Sequence, residues 1–341
     1  MKAVPVQEAV GMVLSHDITQ IVPGKFKGPL YKKGHIIQEI DIPGLLDIGK
    51  ENIYVFDLNE GFIHEDDAAV RIARAAAGKG IGLTPPSEGK VDLIATSTGL
   101  LKVDAEVLNK INTIEDVVFA TLHTHQVVSG GSPVAGTRII PLVTREGNIL
   151  EVERLCRAHF PLIQIKTFTP LSVGIVTTGS EVYHGRIEDR FGPVLRSKFA
   201  DLDCPVLDQV LVSDDIHMTA SAIGRLIEDG AELIAVTGGM SVDPDDRTPA
   251  AIRAAGGKVI TYGAPTFPGA MFMLAYIGNI PVVGLPGCVM YHRTSIFDLI
   301  LPRIIAGETV SRTDITALGH GGFCLKCNNC SYPACGFGKA S

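Results

Sequence analysis

The sequence lacks any apolar stretch long enough to cross a membrane. Its longest apolar runs, such as residues 280–285, are broken by proline and glycine, far short of the ~18 residues that a membrane helix needs. It also lacks a basic block long enough to bind nucleic acid, and its 30 Lys and Arg are outnumbered by 37 Asp and Glu, for a formal net charge of −7. Nucleic acid is therefore not an expected partner. Residues 1–8 contain no apolar signal core. We expect a cytoplasmic protein without a membrane partner.

What is present is a composition typical of folded α/β proteins. The 341 residues are 46% hydrophobic and include 37 glycines, and this length predicts two or three domains. Four of the seven cysteines lie between residues 324 and 335. In a cytoplasmic protein, clustered cysteines favour metal or redox chemistry over structural disulfides.

Strands and helices alternate regularly between residues 171 and 306. This alternation predicts a mainly parallel sheet covered by helices on both faces. The predicted strands are 171–176, 206–212, 232–236, 258–263 and 280–285. The predicted helices are 191–201, 215–228, 247–255, 268–276 and 291–306, and Asp214 with Asp215 suits the N-cap of the second. The fold class is therefore α/β, with a three-layer α/β/α domain over residues 170–310.

Two smaller domains are expected before this one. Residues 1–59 predict a β-rich N-terminal domain, and residues 60–169 predict an α+β domain of short strands and helices. Within the second, His123 and His125 would share one face of a strand, because they are two residues apart. They are either metal ligands, for which no third ligand is evident, or ordinary surface or hydrogen-bonded histidines.

Two glycine-containing phrases each follow a predicted strand. One is Thr177–Val182 and the other is Thr237–Asp246, and each combines Gly, Ser or Thr with carboxylates where a helix should begin. Glycines let backbone N–H groups approach an anion closely, and helix N-termini attract negative charge. Two such loops at the carboxyl ends of strands of one sheet predict an anion-binding crevice. The plainer interpretation is that the glycines only form tight strand-to-helix turns.

Four phrases within residues 171–308 resemble those of the MoaB/Mog domain, the molybdopterin-binding domain of molybdenum-cofactor biosynthesis proteins. They are Thr-Gly-Ser-Glu at 178–181, Val-Ser-Asp-Asp at 212–215, Thr-Gly-Gly-Met-Ser-Val at 237–242 with Asp246, and Gly-Leu-Pro-Gly at 284–287. Four phrases in this order form a specific signal, whereas any one alone would be weak. The N-terminal half resembles more loosely the molybdopterin molybdenumtransferases, the family that includes the C-terminal region of gephyrin, at residues 6–18 and 135–142.

The resemblance implies that the crevice binds molybdopterin or its adenylylated form. It further implies that molybdate is inserted into the dithiolene of the pterin with release of AMP, so that the pterin and molybdate are the small-molecule partners. The implied ligand-binding residues are Thr178, Gly179, Ser180, Gly238, Gly239, Ser241, Pro286 and Gly287. Glu181 and Asp246 would be catalytic, holding a magnesium ion or a water beside the bound oxyanion. The resemblance also admits a homodimer.

Departures from the family's phrases favour an alternative function. Ser180 stands where the family usually has aspartate, Asp189-Arg-Phe stands in place of Asp-Ser-Asn, and Cys288-Val replaces Asn-Pro. A serine cannot supply negative charge to a cation. The alternative is therefore a non-catalytic carrier, chaperone or sensor of the molybdenum cofactor that docks onto a molybdoenzyme.

The C-terminal segment 311–341 is rich in glycine and cysteine. Its Cys324, Cys327, Cys330 and Cys335 can present four thiolates to one centre, as in zinc sites and iron–sulfur clusters. An Fe–S cluster, zinc and metal-free redox thiols stay open as alternatives. Because the segment has few large apolar residues, we expect it to need bound metal to fold. The sequence therefore predicts a separate Cys-rich metal-binding tail.

Overall fold

Short strands and helices make up the first half of the chain. The computed structural model describes residues 2–22, 26–56 and 61–339. The strands of this half are β1 Lys2–Pro5, β2 Ile18–Val22, β3 Phe26–Tyr31, β4 Asn52–Val55, β5 Phe62–His64, β6 Ile81–Leu83, β7 Lys90–Ala95, β8 Gly99–Val103, β9 Val117–Thr121, β10 Val127–Val128, β11 Pro133–Ile139, β12 Val143–Arg145 and β13 Ile163–Thr167. The helices are α1 Asp41–Asp47, α2 Glu65–Ala76, α3 Ala105–Ile111 and α4 Glu146–Ala158.

The chain divides into two compact units. Unit 1 contains residues 1–97, 103–122 and 130–165, and unit 2 contains residues 98–102, 123–129 and 166–341. In unit 1, β1 pairs with β4 beside a small apolar core, and β6, β7, β11 and β9 form an antiparallel sheet in that order. The predicted β-rich character of the N-terminal part is confirmed. The predicted boundary between residues 59 and 60 lies outside the described residues, and the division into four domains stays a prediction.

Longer helices and buried strands alternate in the second half, all of it in unit 2. The strands are β14 Val173–Thr178, β15 Val206–Val212, β16 Leu233–Thr237, β17 Lys258–Tyr262, β18 Met273–Ile277 and β19 Ile280–Leu285. The helices are α5 Ser180–Tyr183, α6 Phe191–Ala200, α7 Ile216–Glu228, α8 Thr248–Ala254, α9 Cys288–Tyr291, α10 Ile296–Ile305 and α11 Arg312–Ala317. None of the helices in the described ranges is long and apolar enough to cross a membrane.

Six strands of unit 2 form one sheet in the order β15-β14-β16-β19-β18-β17. The first four run parallel to one another, while β18 is antiparallel to β19 and β17 is antiparallel to β18. The sheet is therefore mixed, but it is mainly parallel as predicted, because β18 is the strand that runs against the other five. The antiparallel edge arises because β18 and β19 are joined by a short turn, whereas a parallel pair needs a crossover of a dozen or more residues.

Helices cover both faces of this sheet. Successive residues of a strand point to opposite faces, so Ile175 packs with Leu195 of α6 and Phe297 of α10, while Val176 packs with Ile223 of α7 on the other face. Each of these side chains is almost completely buried. The predicted three-layer α/β/α arrangement is confirmed.

The predicted helix 268–276 is wrong. This segment contains β18, and Met273 pairs with Gly284 of the adjacent strand β19. Phe272, Met273 and Leu274 are completely buried. A short apolar run that is buried on both faces of a sheet shows no polar alternation, so its pattern does not distinguish it from a buried helix. The closing helix also starts later than the predicted residue 291, at Ile296.

The C-terminal segment packs onto the same core as α10. Its helix α11 begins with a Ser–Asp capping box. The side chains of Ile315, Leu318 and Phe337 are buried in the apolar cluster that contains α10. A few apolar side chains therefore anchor this segment to an existing core, and the expectation that it also needs a metal to fold stays a prediction.

Candidate functional site

The two glycine phrases lie side by side at the carboxyl ends of β14 and β16. Thr177 of β14 is the ladder partner of Thr237 of β16, so Gly179 and Gly238 leave the sheet next to each other. Gly238 has φ +86°, and a Cβ at this residue would clash with the carbonyl oxygen of Thr178. Only glycine fits here, because the backbones of the two loops touch.

The turn of residues 238–241 is held in place by Thr248. The Oγ1 of Thr248 donates to the carbonyl oxygen of Gly238 at 2.7 Å, and its N–H donates to the carbonyl oxygen of Gly239 at 3.1 Å. Across the described residues, no N–H group of the 238–241 turn donates a hydrogen bond to the protein. Consecutive unpaired backbone donors in one turn form a concavity that can bind an anion.

A crevice of about 780 Å³ opens at this turn and adjoins a cavity of about 470 Å³. Predicted site residues on the wall of the crevice are Thr178, Gly179, Glu181, Gly238, Gly239 and Asp246. Those on the wall of the adjoining cavity are Gly238, Gly239, Ser241, Asp246, Pro286 and Gly287. The structure therefore brings all of the predicted ligand-binding and catalytic residues to one place except Ser180.

The wall of the crevice is acidic. Its carboxylates are Glu181, Glu188, Asp189, Asp214, Asp243, Asp245 and Asp246. Among its described lining residues, Arg190 is the one with a basic side chain. Asp246 is half-buried, and its Oδ2 accepts the N–H of Asp243 at 2.9 Å. An anionic ligand would be repelled by this charge unless a cation is bound with it.

Ser180 contacts the loop between β15 and α7. Its Oγ lies 3.1 Å from the Oγ of Ser213, and its N–H donates to Oδ2 of Asp214 at 2.8 Å. Asp214 also lines the crevice, so a carboxylate stands beside the position where this chain lacks the family's aspartate. The N-cap role belongs to Asp215 alone, which accepts the N–H of Met218 at 2.8 Å. Sequence reasoning misses Asp214, although its phrase is one of the four that carry the resemblance.

Asp189, which precedes the departures at residues 190 and 191, has a structural role. Its carboxylate accepts the N–H groups of Phe191 at 2.8 Å and Gly192 at 3.1 Å, which begin helix α6, and the Nε2 of Gln209 at 2.6 Å. Gln209 in turn donates to Oγ1 of Thr177 at the end of β14. This chain of hydrogen bonds fixes the start of α6 against the sheet, so Asp189 shapes the crevice wall.

The predicted metal ligands do not form ready-made sites. In residues 2–22, 26–56 and 61–339, no group of three or more His, Cys, Asp or Glu side chains has a geometry that could hold a metal ion. Glu181 and Asp246 remain suitable for Mg²⁺, which typically uses one or two carboxylates together with waters and ligand oxygens. The four tail cysteines are free thiols. The prediction that they form a metal centre is not met in this structure, in which packing and backbone hydrogen bonds hold their loop.

A buried ion network lies elsewhere in unit 2, around Glu308. Its Oε1 is 2.6 Å from Nζ of Lys102 and its Oε2 is 2.8 Å from Nε of Arg303, whose Nη2 is 2.6 Å from Oδ1 of Asp314. Burial opposes ionisation of Glu308, but the hydrogen bonds from Lys102 and Arg303 outweigh it and lower the pKa to about 2. The carboxylate is therefore ionised at neutral pH.

His125 belongs to this network and does not lie on a strand. Strand β9 ends at Thr121, and His125 follows in a turn with φ +64°, so the predicted shared strand face with His123 is wrong. Burial, together with the charges of Arg303 and Lys102, lowers the pKa of His125 to about 4. The neutral ring therefore accepts a hydrogen bond from Nζ of Lys102 at 2.5 Å.

Comparison with known families agrees with the site. Residues 174–306 match the family model described as "Probable molybdopterin binding domain". This part of the chain is a MoaB/Mog-like domain, related to molybdenum-cofactor biosynthesis proteins. Residues 3–57 match a domain of unknown function, and the predicted relation of the N-terminal half to the molybdenumtransferases stays a prediction.

Individual relatives match only part of the chain. A molybdenum cofactor biosynthesis bifunctional protein from Synechococcus elongatus is 33% identical over 78 residues, which are 23% of this chain and 24% of that protein. A CinA-like protein from Mycobacterium avium is 32% identical over 75 residues, 22% of this chain and 17% of that protein. The chain thus spans about a quarter or less of the length of these curated relatives. The crystal structure of the molybdopterin biosynthesis enzyme MoaB from Thermus thermophilus is 20% identical, covers 40% of this chain and 98% of its own, and has a TM-score of 0.33.

Proposed function

We propose that the crevice binds molybdopterin and that the 238–241 turn holds the phosphate of this ligand. The observation that carries the proposal is the run of N–H groups in this turn, which donate no hydrogen bond to any residue that the structure describes. The turn lies on the wall of a crevice large enough for a pterin. The family match over residues 174–306 supports the choice of ligand. Pro286 and Gly287 border the adjoining cavity, which gives the tricyclic part of the ligand a place to lie.

A divalent cation is part of the proposal, because the crevice is acidic. A phosphate beside Asp246 and Glu181 would be repelled without one. Magnesium suits this position, since it keeps several waters and bridges one or two carboxylates to a phosphate. Glu181 is proposed to share this role because it lies on the wall of the same crevice as Asp246.

The reaction proposed for the bound pterin is the insertion of molybdate into its dithiolene, with Asp246 and Glu181 as the catalytic residues. Asp214 favours this over a carrier, because it restores a carboxylate next to Ser180. The alternative, a non-catalytic carrier, chaperone or sensor that delivers the cofactor to a molybdoenzyme, follows from the serine itself. A homodimer also stays a prediction.

The binding proposal is tested by titrating the protein with molybdopterin, with and without Mg²⁺. Wild-type protein should bind the pterin about tenfold more tightly with Mg²⁺, and Asp246→Asn should lose that gain, because the variant keeps the shape of the side chain and loses its charge. Asp229→Asn is the matched control, since Asp229 is an exposed carboxylate just after α7. Absence of pterin binding by the wild type under both conditions would overturn the proposal.

A second assay decides between insertion and carriage. Protein loaded with adenylylated molybdopterin is incubated with Mg²⁺ and molybdate, and released AMP is measured. AMP release that is abolished in Asp246→Asn supports insertion, because removal of a transition-state interaction lowers turnover more than ground-state binding. Tight pterin binding without AMP release by the wild type supports the carrier.

A further inference from the structure

All four cysteines of the C-terminal tail line one cavity of about 480 Å³ in unit 2. The cavity lies between the segment 291–294, which precedes α10, and the tail from residue 321 to residue 337. None of the four thiols is in a disulfide. The proposed pterin function gives these cysteines no role, so their convergence on one cavity needs its own explanation.

Two of the four sulfur atoms already have hydrogen-bond partners. The N–H of Lys326 donates to Sγ of Cys324 at 3.4 Å, inside a Cys-x2-Cys turn in which Lys326 has φ +53°. Sγ of Cys330 lies 3.5 Å from Oγ1 of Thr294. Hydrogen bonds to sulfur orient thiolate ligands and tune the metal centres that they hold. The surroundings of these two sulfurs therefore suit thiolate ligation.

The loop that carries the cysteines is fixed at both ends and open in the middle. At its start, the N–H of Cys324 donates to the carbonyl oxygen of Phe267, and the N–H of Phe267 donates to the carbonyl oxygen of Gly322, both at 2.8 Å. At its end, Phe337 is buried in the core. Cys327, between the two anchors, is exposed. Tyr332 also packs against the core, and its hydroxyl donates to the carbonyl oxygen of Asp298 at 3.4 Å, so the exposed part between the anchors is the stretch 325–329.

We propose that this four-cysteine cavity is the site of a thiophilic metal centre, either one zinc ion or an iron–sulfur cluster. Both centres are held by four cysteine thiolates. In the described part of the chain the thiols do not stand in metal-ligating geometry, so binding draws the middle of the loop inward while its anchors stay in place. The inference does not depend on pterin binding, because none of the four cysteines lines the pterin crevice.

The test uses the full chain, purified without oxygen. One sample is titrated with Zn²⁺ against a chromophoric chelator, and another is incubated with ferrous iron and sulfide. One tightly held zinc ion per chain, or a stable visible absorption from a cluster, supports the site and identifies its metal. Failure to retain either metal overturns the proposal.

Variants and thiol labelling locate the metal. Cys327→Ser combined with Cys330→Ser should weaken metal binding by roughly a hundredfold or more, whereas Cys288→Ser, which removes a thiol outside this cavity, should not. In wild-type protein, metal should also protect the four tail thiols from alkylation and leave the labelling of Cys288 unchanged. This second readout does not depend on a variant folding. Wild-type affinity in the double variant, or equal labelling with and without metal, overturns the proposal.

Discussion

Replacement of Glu308 by glutamine should destabilise the protein and flatten its response to acid. The Glu308 carboxylate is only 8% exposed and contacts Lys102 at 2.6 Å and Arg303 at 2.8 Å. Its pKa falls from a reference value of 4.5 to about 2 in the folded protein. Since one pKa unit corresponds to ~1.4 kcal/mol, the ionised carboxylate contributes roughly 3 kcal/mol to the free energy of unfolding. Glutamine keeps the shape of the side chain but removes the negative charge that pairs with Lys102 and Arg303.

The pH dependence has a definite sign. Because the folded-state pKa is depressed, the stabilisation by Glu308 is fully present above its reference pKa of 4.5 and is lost as the pH falls toward about 2. Denaturant unfolding at pH 7 should therefore show a loss of roughly 3 kcal/mol in Glu308→Gln, and at pH 3 the loss should be about half as large. Glu228→Gln is the control, because Glu228 is exposed at the end of α7. A loss below ~1 kcal/mol at pH 7, or an equal loss at both pH values, would refute the reasoning.

Two further substitutions test the walls of the crevice. Asp189→Ala removes the acceptor for the first two N–H groups of α6 and should lower the free energy of unfolding by about 1–2 kcal/mol in denaturant. Asp189→Asn should lower it less. Equal losses in the two variants would contradict the capping role. Gly238→Ala combines φ +86° with a clash against the carbonyl oxygen of Thr178 and should lower the free energy of unfolding by at least ~2 kcal/mol. Gly230→Ala, at φ +100° in open space, should lower it by only about 1 kcal/mol. Similar losses in the two variants would show that the two loops do not touch as described.

The sequence predicts the crevice because several independent signals agree there. Apolar runs mark β14 and β16 as buried strands, and glycine directly after each strand has a steric cause that is visible at Gly238. The sequence pattern does not distinguish the roles of two adjacent acidic residues. Asp214 and Asp215 both suit an N-cap, but only the geometry assigns the cap to Asp215 and the crevice to Asp214.

The errors in the sequence interpretation share one cause, which is that tertiary contacts decide the outcome. Residues 268–276 contain a strand of the sheet, in which Met273 and its neighbours are covered on both faces. The local sequence pattern does not show that both faces are covered. In the tail, the sequence predicts a role for the cysteines but does not predict the burial of Phe337, which depends on a core built by distant residues. Local periodicity carries no information about such a docking surface.

The backbone pairing of Phe267 with the tail links two parts of unit 2 that the sequence separates. Phe267 borders the cavity that adjoins the crevice, and its N–H and carbonyl oxygen are bonded to Gly322 and Cys324. Thermodynamic linkage is reciprocal. If a ligand in the crevice strengthens binding at the tail through this pairing, a ligand at the tail strengthens binding in the crevice by the same factor. Occupancy of the crevice should therefore be detectable at the other end of the pairing, as slower exchange of the Cys324 amide hydrogen.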